Sequence, residues 1–148
     1  MPKRIREGPD FLLLDTHVWV WYVEGTEARL SQRALALLRE YDRAERLFVS
    51  PLSAWEVARL VTRKRLTLSV DLPTWTQTAI EEAGVRTAHL TPAVAVGAEL
   101  LAGDPPRDPV DRLLIATARA IGATLLTRDA EILAYGREGH VRVLDAGQ

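Results

Sequence analysis

No cysteine occurs anywhere in the 148 residues, which removes disulfides, thiolate zinc sites and a cysteine nucleophile together. The same absence fits a chain that works in the reducing cytoplasm, the location we expect. No apolar run approaches the roughly 18 residues that a membrane crossing needs, so no membrane partner is expected. The opening segment Met1-Pro2-Lys3-Arg4-Ile5-Arg6-Glu7-Gly8-Pro9-Asp10 is basic, but no apolar stretch of signal-peptide length follows it. Residues 1–10 are therefore expected to form a loose leader and not a secretion signal. The patterns Gly-x-x-x-x-Gly-Lys-Ser/Thr and Gly-x-Gly-x-x-Gly are missing, which leaves a nucleotide cofactor without support. A Gly-x-Ser-x-Gly nucleophile elbow is missing too. His17, His89 and His140 show no zinc-ligand spacing. A net charge of −1 does not by itself announce a nucleic-acid partner.

What remains is an ordinary globular composition, 47% hydrophobic and 26% charged, long enough for one domain over residues 11–148. Short apolar runs bounded by Gly, Pro or polar residues read as buried parallel strands at 11–15, 47–50, 85–89, 123–127 and 141–144. Helical patterns lie between them: Thr16 to Val23, Gln32 to Ala44 behind an N-capping Ser31, and a segment opened by Ser53 that carries Trp55, Val57, Ala58 and Val61. Pro73 to Ala83 stops at Gly84, Thr91-Pro92 opens a helix to about Leu101, and Asp108-Pro109 caps one that runs to Ile121 before Gly122. Ala130 to Tyr135 forms a last short helix. Alternating strands and helices imply a mostly parallel sheet covered on both faces. With right-handed crossovers the simplest strand order is 3-2-1-4-5, which puts a topological switch between the first and fourth strands. Trp19, Trp21, Trp55 and Trp75 are expected in the core or at interfaces.

Four carboxylates sit at boundaries of these elements. Asp15 ends the first strand and Asp129 follows the fourth, while Glu56 and Asp111 are expected in the first turns of helices. Each has a local structural explanation. Asp15 and Asp129 suit N-caps, Ser53-x-x-Glu56 reads as a capping box, and Asp111 lies at N3 behind Asp108 at the N-cap, where an acid gains roughly 0.3–1 kcal/mol from the helix dipole. The explanations weaken once the fold gathers the acids outside the carboxyl ends of the strands. Two like charges about 4 Å apart cost on the order of 4 kcal/mol at an effective dielectric near 20. Protons, basic side chains or a metal must compensate. All-oxygen ligands suit Mg²⁺ or Mn²⁺, and that combination points to phosphate-ester chemistry. Nearby, Arg59, Arg63, Lys64 and Arg65 fall in a stretch free of acids between Glu56 and Asp71. They read either as a solvated helix face or, with Arg112, as contacts to the phosphates of a substrate.

Leu13-Leu14-Asp15-Thr16-His17, Trp55-Glu56-Val57-Ala58, Asp108-Pro109-Val110-Asp111-Arg112-Leu113-Leu114-Ile115-Ala116 and Thr127-Arg128-Asp129 resemble the PIN-domain family. Within it they look most like the VapC ribonuclease toxins of toxin–antitoxin pairs. The resemblance runs from about residue 11 to 144. It implies a three-layer PIN-like α/β fold and a metal-dependent endoribonuclease, commonly a homodimer, held in check by a small antitoxin encoded beside it. Asp15, Glu56, Asp111 and Asp129 match the family's acidic positions, with Asp15, Asp111 and Asp129 the expected metal ligands. Thr16 and Thr127 match flanking polar positions, and Asp108 is expected to cap its helix. Val110 departs from a common Phe, a change in packing rather than chemistry. A housekeeping RNA-processing nuclease and a non-catalytic RNA- or protein-binding module of the same fold are the alternatives. A haloacid-dehalogenase-type phosphatase lacks its second Asp, replaced by His17, and a receiver domain lacks its Asp after the third strand, where His89-Leu90-Thr91 stands.

Overall fold

The computed structural model describes residues 8–148. Its five strands are β1 (Leu12–Leu14), β2 (Leu47–Val49), β3 (Arg86–Thr87), β4 (Thr124–Thr127) and β5 (Val143–Asp145). They pair in the order β3-β2-β1-β4-β5, every neighbouring pair parallel. The expected order stands, and the sheet is wholly rather than mostly parallel. Leu12, Leu13 and Leu14 show why such strands read as unbroken apolar runs. Leu12 and Leu14 enter one core and Leu13 the other, so both faces of the strand are buried.

The first core lies under α1 (Thr16–Glu24), α2 (Gln32–Arg43), α3 (Pro51–Thr62) and α4 (Leu72–Gln77). Trp19, Leu38, Tyr41, Val57 and Trp75 fill it, and Trp19 meets Trp75 edge to face at 4.8 Å. The second core lies under α6 (Pro109–Ile121) and α7 (Ala130–Arg137), with Leu114, Ile115, Ile132 and Tyr135 packed on Leu13 and Leu125. α5 (Pro92–Glu99) sits outside α6, setting Val94 and Ala98 against Ala116. Of the four tryptophans, Trp19 and Trp75 are core residues, while Trp55 stands 52% exposed on α3.

Several boundaries differ from the sequence reading, each for a local reason. α3 begins at Pro51 behind an N-capping Ser50, whose hydroxyl accepts from the Leu52 amide at 3.1 Å. Ser53 is therefore not the cap. It lies inside the first turn and is fully buried, and Glu56 falls in the second turn instead of closing a capping box. The third strand shrinks from 85–89 to the exposed edge pair Arg86–Thr87. α4 starts at Leu72 under an Asp71 cap and runs into a π-helical turn over Thr78–Glu82, whose Ala83 amide reaches back to the Thr78 carbonyl. β5 is displaced to Val143–Asp145, and α7 extends beyond Tyr135 to Arg137.

Residues 1–7 of the expected leader lie outside the described residues. Of its last three, Pro9 and Asp10 offer backbone carbonyls to Tyr41 Oη and Arg46 Nη1. Among the described residues no helix is long and apolar enough to cross a membrane.

Candidate active site

β1 and β4 are neighbours in space and far apart in sequence, and the site grows from their adjacent ends. Asp15 leaves β1 and caps α1 in extended conformation, its Oδ1 accepting from the Thr16 amide at 2.7 Å. Its Oδ2 accepts from the hydroxyl of Thr127, the last residue of β4, at 2.6 Å. Both residues are buried, Asp15 8% exposed and Thr127 fully covered. Burial pushes the Asp15 carboxyl up from its ordinary range. The two hydrogen bonds and nearby His17 favour the ionised form, whereas Asp129 opposes it. The same Thr127 oxygen also accepts from the Asp129 amide at 2.9 Å. One hydroxyl thus joins the strand ends that carry two of the acids.

Asp129 caps α7, its Oδ1 accepting from the Glu131 and Ile132 amides at 2.9 and 3.0 Å. Asp108 caps α6, its Oδ1 accepting from the Asp111 amide at 3.0 Å, as the Asp-Pro start predicts. Asp111 is then fixed in the first turn of α6, beside the cleft. On the facing side the Thr16 hydroxyl donates to Ser53 Oγ at 3.0 Å. Ser53 lies three residues before Glu56 on one helical face, so this buried bond ties the Glu56 turn of α3 to the start of α1.

Asp15, Glu56, Asp108, Asp111 and Asp129 line one open cleft of about 360 Å³, together with His17, Trp21 and Arg128. The four acids expected at a site, scattered over the chain, are gathered at the carboxyl end of the sheet. Their mutual repulsion is plainest at Asp111. Burial, then Asp108, Asp129, Asp15 and Glu56, push its carboxyl up to about 8. A carboxyl held that far above its ordinary range takes a proton at neutral pH unless another cation replaces it.

Carboxylate oxygens of Asp111, Asp129 and Glu131 lie within 4.8 Å of one another. The donor set is hard and anionic, which fits a divalent cation that prefers oxygen and keeps some of its water. Glu131 is not anticipated from the sequence, where it reads as an ordinary first-turn acid; the signal available is Asp129-x-Glu131 at a helix start. Asp15 lies outside this tight triplet, and its two oxygens accept from Thr16 and Thr127.

The basic residues behave differently. Arg59, Arg63, Lys64 and Arg65 are exposed at the end of α3 and line no part of the cleft, although Arg59 stacks over Trp55 at 5.3 Å. Arg112 faces away from the acids toward α5, where it meets Glu99 at 3.7 Å. Arg128, not anticipated, does line the cleft.

A parallel 3-2-1-4-5 sheet with acids converging at the β1–β4 switch is the arrangement of a PIN domain, and the family model for the PIN domain matches residues 12–138. The chain belongs to this family. Among proteins of known name it is similar to Ribonuclease VapC22 of Mycobacterium tuberculosis (strain ATCC 25618 / H37Rv), 34% identical over 124 residues that cover 84% of this chain and 91% of the relative. The fold is similar to solved structures. VapBC2 from Rickettsia felis bound to a DNA fragment from its promoter gives a TM-score of 0.62 at 14% identity, covering 91% of this chain and 98% of the other. DNA-bound VapBC from Salmonella typhimurium gives 0.61 at 13% identity, covering 91% and 97%.

Proposed function

We propose that this chain is an endoribonuclease that hydrolyses RNA phosphodiester bonds with Mg²⁺, Mn²⁺ substituting, and that it is the toxin of a toxin–antitoxin pair. The observation that carries the reading is the cleft itself: Asp15, Glu56, Asp111 and Asp129 come from separate elements to one place, with more negative charge than capping uses. The 34% identity to a named ribonuclease supports the choice of RNA.

In this reading Asp111 and Asp129 hold the cation directly, with Glu131 beside them, and Asp15 holds it directly or through water. When bound, the cation polarises the phosphate, acidifies an attacking water and stabilises the leaving oxygen. Glu56, opposite them on α3, binds the cation or orients the attacking water. Thr16 and Thr127 keep Asp15 in position, and Asp108 keeps the first turn of α6 in place. Arg59, Arg63, Lys64 and Arg65 continue from the Glu56 helix and give RNA phosphates a basic track. Arg112, paired with Glu99, is the weakest member of that set. The single domain is residues 11–148, preceded by residues 1–10 as a leader whose Pro9 and Asp10 carbonyls bond to it.

The reading includes a small antitoxin protein as partner, a cytoplasmic location and a homodimer. Val96 and Leu100, 59% and 75% exposed at α5, leave an apolar surface beyond the cleft that suits a protein neighbour. An antitoxin segment offering Arg or Lys to the cleft carboxylates would displace cation or substrate, with apolar anchors adding affinity. The test is cleavage of single-stranded RNA by the purified protein, with and without the product of the adjacent gene. Cleavage is expected with Mg²⁺ or Mn²⁺, to be lost in EDTA, and to be suppressed by the neighbour. EDTA-resistant cleavage sinks the metal role. A neighbour that neither binds nor inhibits, with harmless expression of the chain alone, sinks the toxin role and leaves the nuclease standing.

A further inference from the structure

The cleft is not lined by acids alone. Arg128, between Thr127 and Asp129, is a permanent positive charge in its wall, and it pairs with no carboxylate among the described residues. Three contacts fix it. Its Nη1 donates to the Arg29 carbonyl at 2.9 Å, its guanidinium carbon lies 5.8 Å from the centre of the Trp21 ring, and Gly147 packs against its Nε side. A β-carbon at Gly147 would stand 2.9 Å from that nitrogen, so a larger residue there would push the guanidinium aside. His17, one helical turn before Trp21, tilts against the same indole at 5.8 Å between ring centres. One of the five donors of the guanidinium is spent on Arg29. A cation anchored on three sides but unpaired, in a cleft whose acids would attract it, is placed for an anion that arrives from outside.

Resting on the ribonuclease reading, we propose that Arg128 binds a phosphate of single-stranded RNA next to the one that is cut, and that Trp21 is the positioning residue that holds its guanidinium plane. A planar fork suits a phosphate in two-point contact, and a guanidinium already held beside the indole lowers the ordering cost of binding. The geometry separates this contact from the α3 stripe, which lies outside the cleft.

Two measurements test it. One is steady-state cleavage of a single-stranded RNA with Mg²⁺ across a salt series. The other is anisotropy of a labelled RNA in an Asp111→Asn background that prevents turnover. Arg128→Ala should weaken binding on the order of tenfold, with most of the loss in KM, and flatten the salt slope by about 0.7. Arg128→Lys should restore the slope but only part of the affinity, because an ammonium lacks the plane. Trp21→Leu should reproduce part of the loss and Trp21→Phe should recover it. Unchanged affinity and slope in folded Arg128→Ala, while the parent cuts RNA, overturn the inference alone. A loss of affinity that tracks a fall in Tm with the slope intact makes Arg128 structural and also overturns it. A parent that neither binds nor cuts RNA removes the ribonuclease reading, and this inference with it.

Discussion

The two ends of the sheet carry opposite charge and use it differently. At the amino ends of β4 and β5 lies the larger cavity, about 790 Å³, with Arg119, Arg137, Arg142 and His140 in its walls and no acid among the described residues. Structure accounts for much of that charge. Arg119 donates to the His140 carbonyl, and Arg119 and Arg137 occupy the last turns of α6 and α7, where cations offset exposed carbonyls. At the carboxyl ends the cavity is smaller and the acids exceed what capping consumes. Asp108 and Asp129 cap helices with one oxygen each, yet Asp111 is driven up to about 8 by burial and its acidic neighbours. Size marks space, whereas uncompensated charge marks chemistry.

The contrast breaks most directly by mutation at each end. Asp111→Asn or Asp15→Asn should reduce RNA cleavage at least on the order of a hundredfold, within the range set by electrostatic stabilisation at active sites, while the protein still melts cooperatively. Arg142→Ala at the opposite end should leave cleavage within about twofold and change stability by less than about 0.5 kcal/mol. Equal losses from both ends would dissolve the distinction.

A smaller effect should appear in the metal-free protein as pH changes. Asp111 binds its proton more tightly folded than unfolded, so its contribution to stability is complete below its ordinary value of 3.8 and disappears as pH rises to about 8. Asp15 is shifted in the same direction. Metal-free protein should therefore lose stability between about pH 4 and about pH 8, by roughly 1–3 kcal/mol once the partial solvation of Asp111 is allowed for. Asp111→Asn should flatten the profile, and Mg²⁺ should reverse the loss by binding the folded state. Thermal melts over that range, with and without Mg²⁺, measure it. A flat wild-type profile would mean that the carboxyl-end charges are relieved in some other way.

The smallest effect belongs to Asp108→Asn, which preserves an N-cap of nearly equal quality while removing one charge near Asp111. Cleavage should fall by no more than about fivefold, and stability should stay within about 0.5 kcal/mol. A loss matching that of Asp111→Asn would move Asp108 from helix cap into the reacting site.

Much of this architecture is legible in the chain because parallel strands buried on both faces have no polar alternation to confuse them. Leu12-Leu13-Leu14 and Thr124-Leu125-Leu126-Thr127 announce the central strands, and the crossover rule orders the rest. The start of α3 misleads because two signals overlap. Ser50-Pro51 carries the same cap-and-proline signature as Thr91-Pro92 and Asp108-Pro109, but Ser50 also continues the apolar run of β2, and Ser53-x-x-Glu56 imitates a capping box. The π-helical turn after α4 has no local sequence mark. Glu131 and Arg128 escape notice for a different reason. A first-turn acid and an exposed arginine are ordinary by themselves, and only the meeting of β4, α6 and α1 gives them neighbours.

The hydrogen bond from Thr127 to Asp15 spans 112 residues of chain, and this separation has a consequence in time. Contacts of such long range form late because the intervening loop must first be closed. During synthesis, β1 and the helices through α5 can gather before β4 exists, but β1 then has its neighbour on one side only. Neither Asp111 nor Asp129 can be in place until α6 and β4 have been made and docked. A growing chain thus has no assembled cleft until α6, β4 and the start of α7 have been made and docked. Any inhibitor that recognises the assembled cleft has no target before that docking.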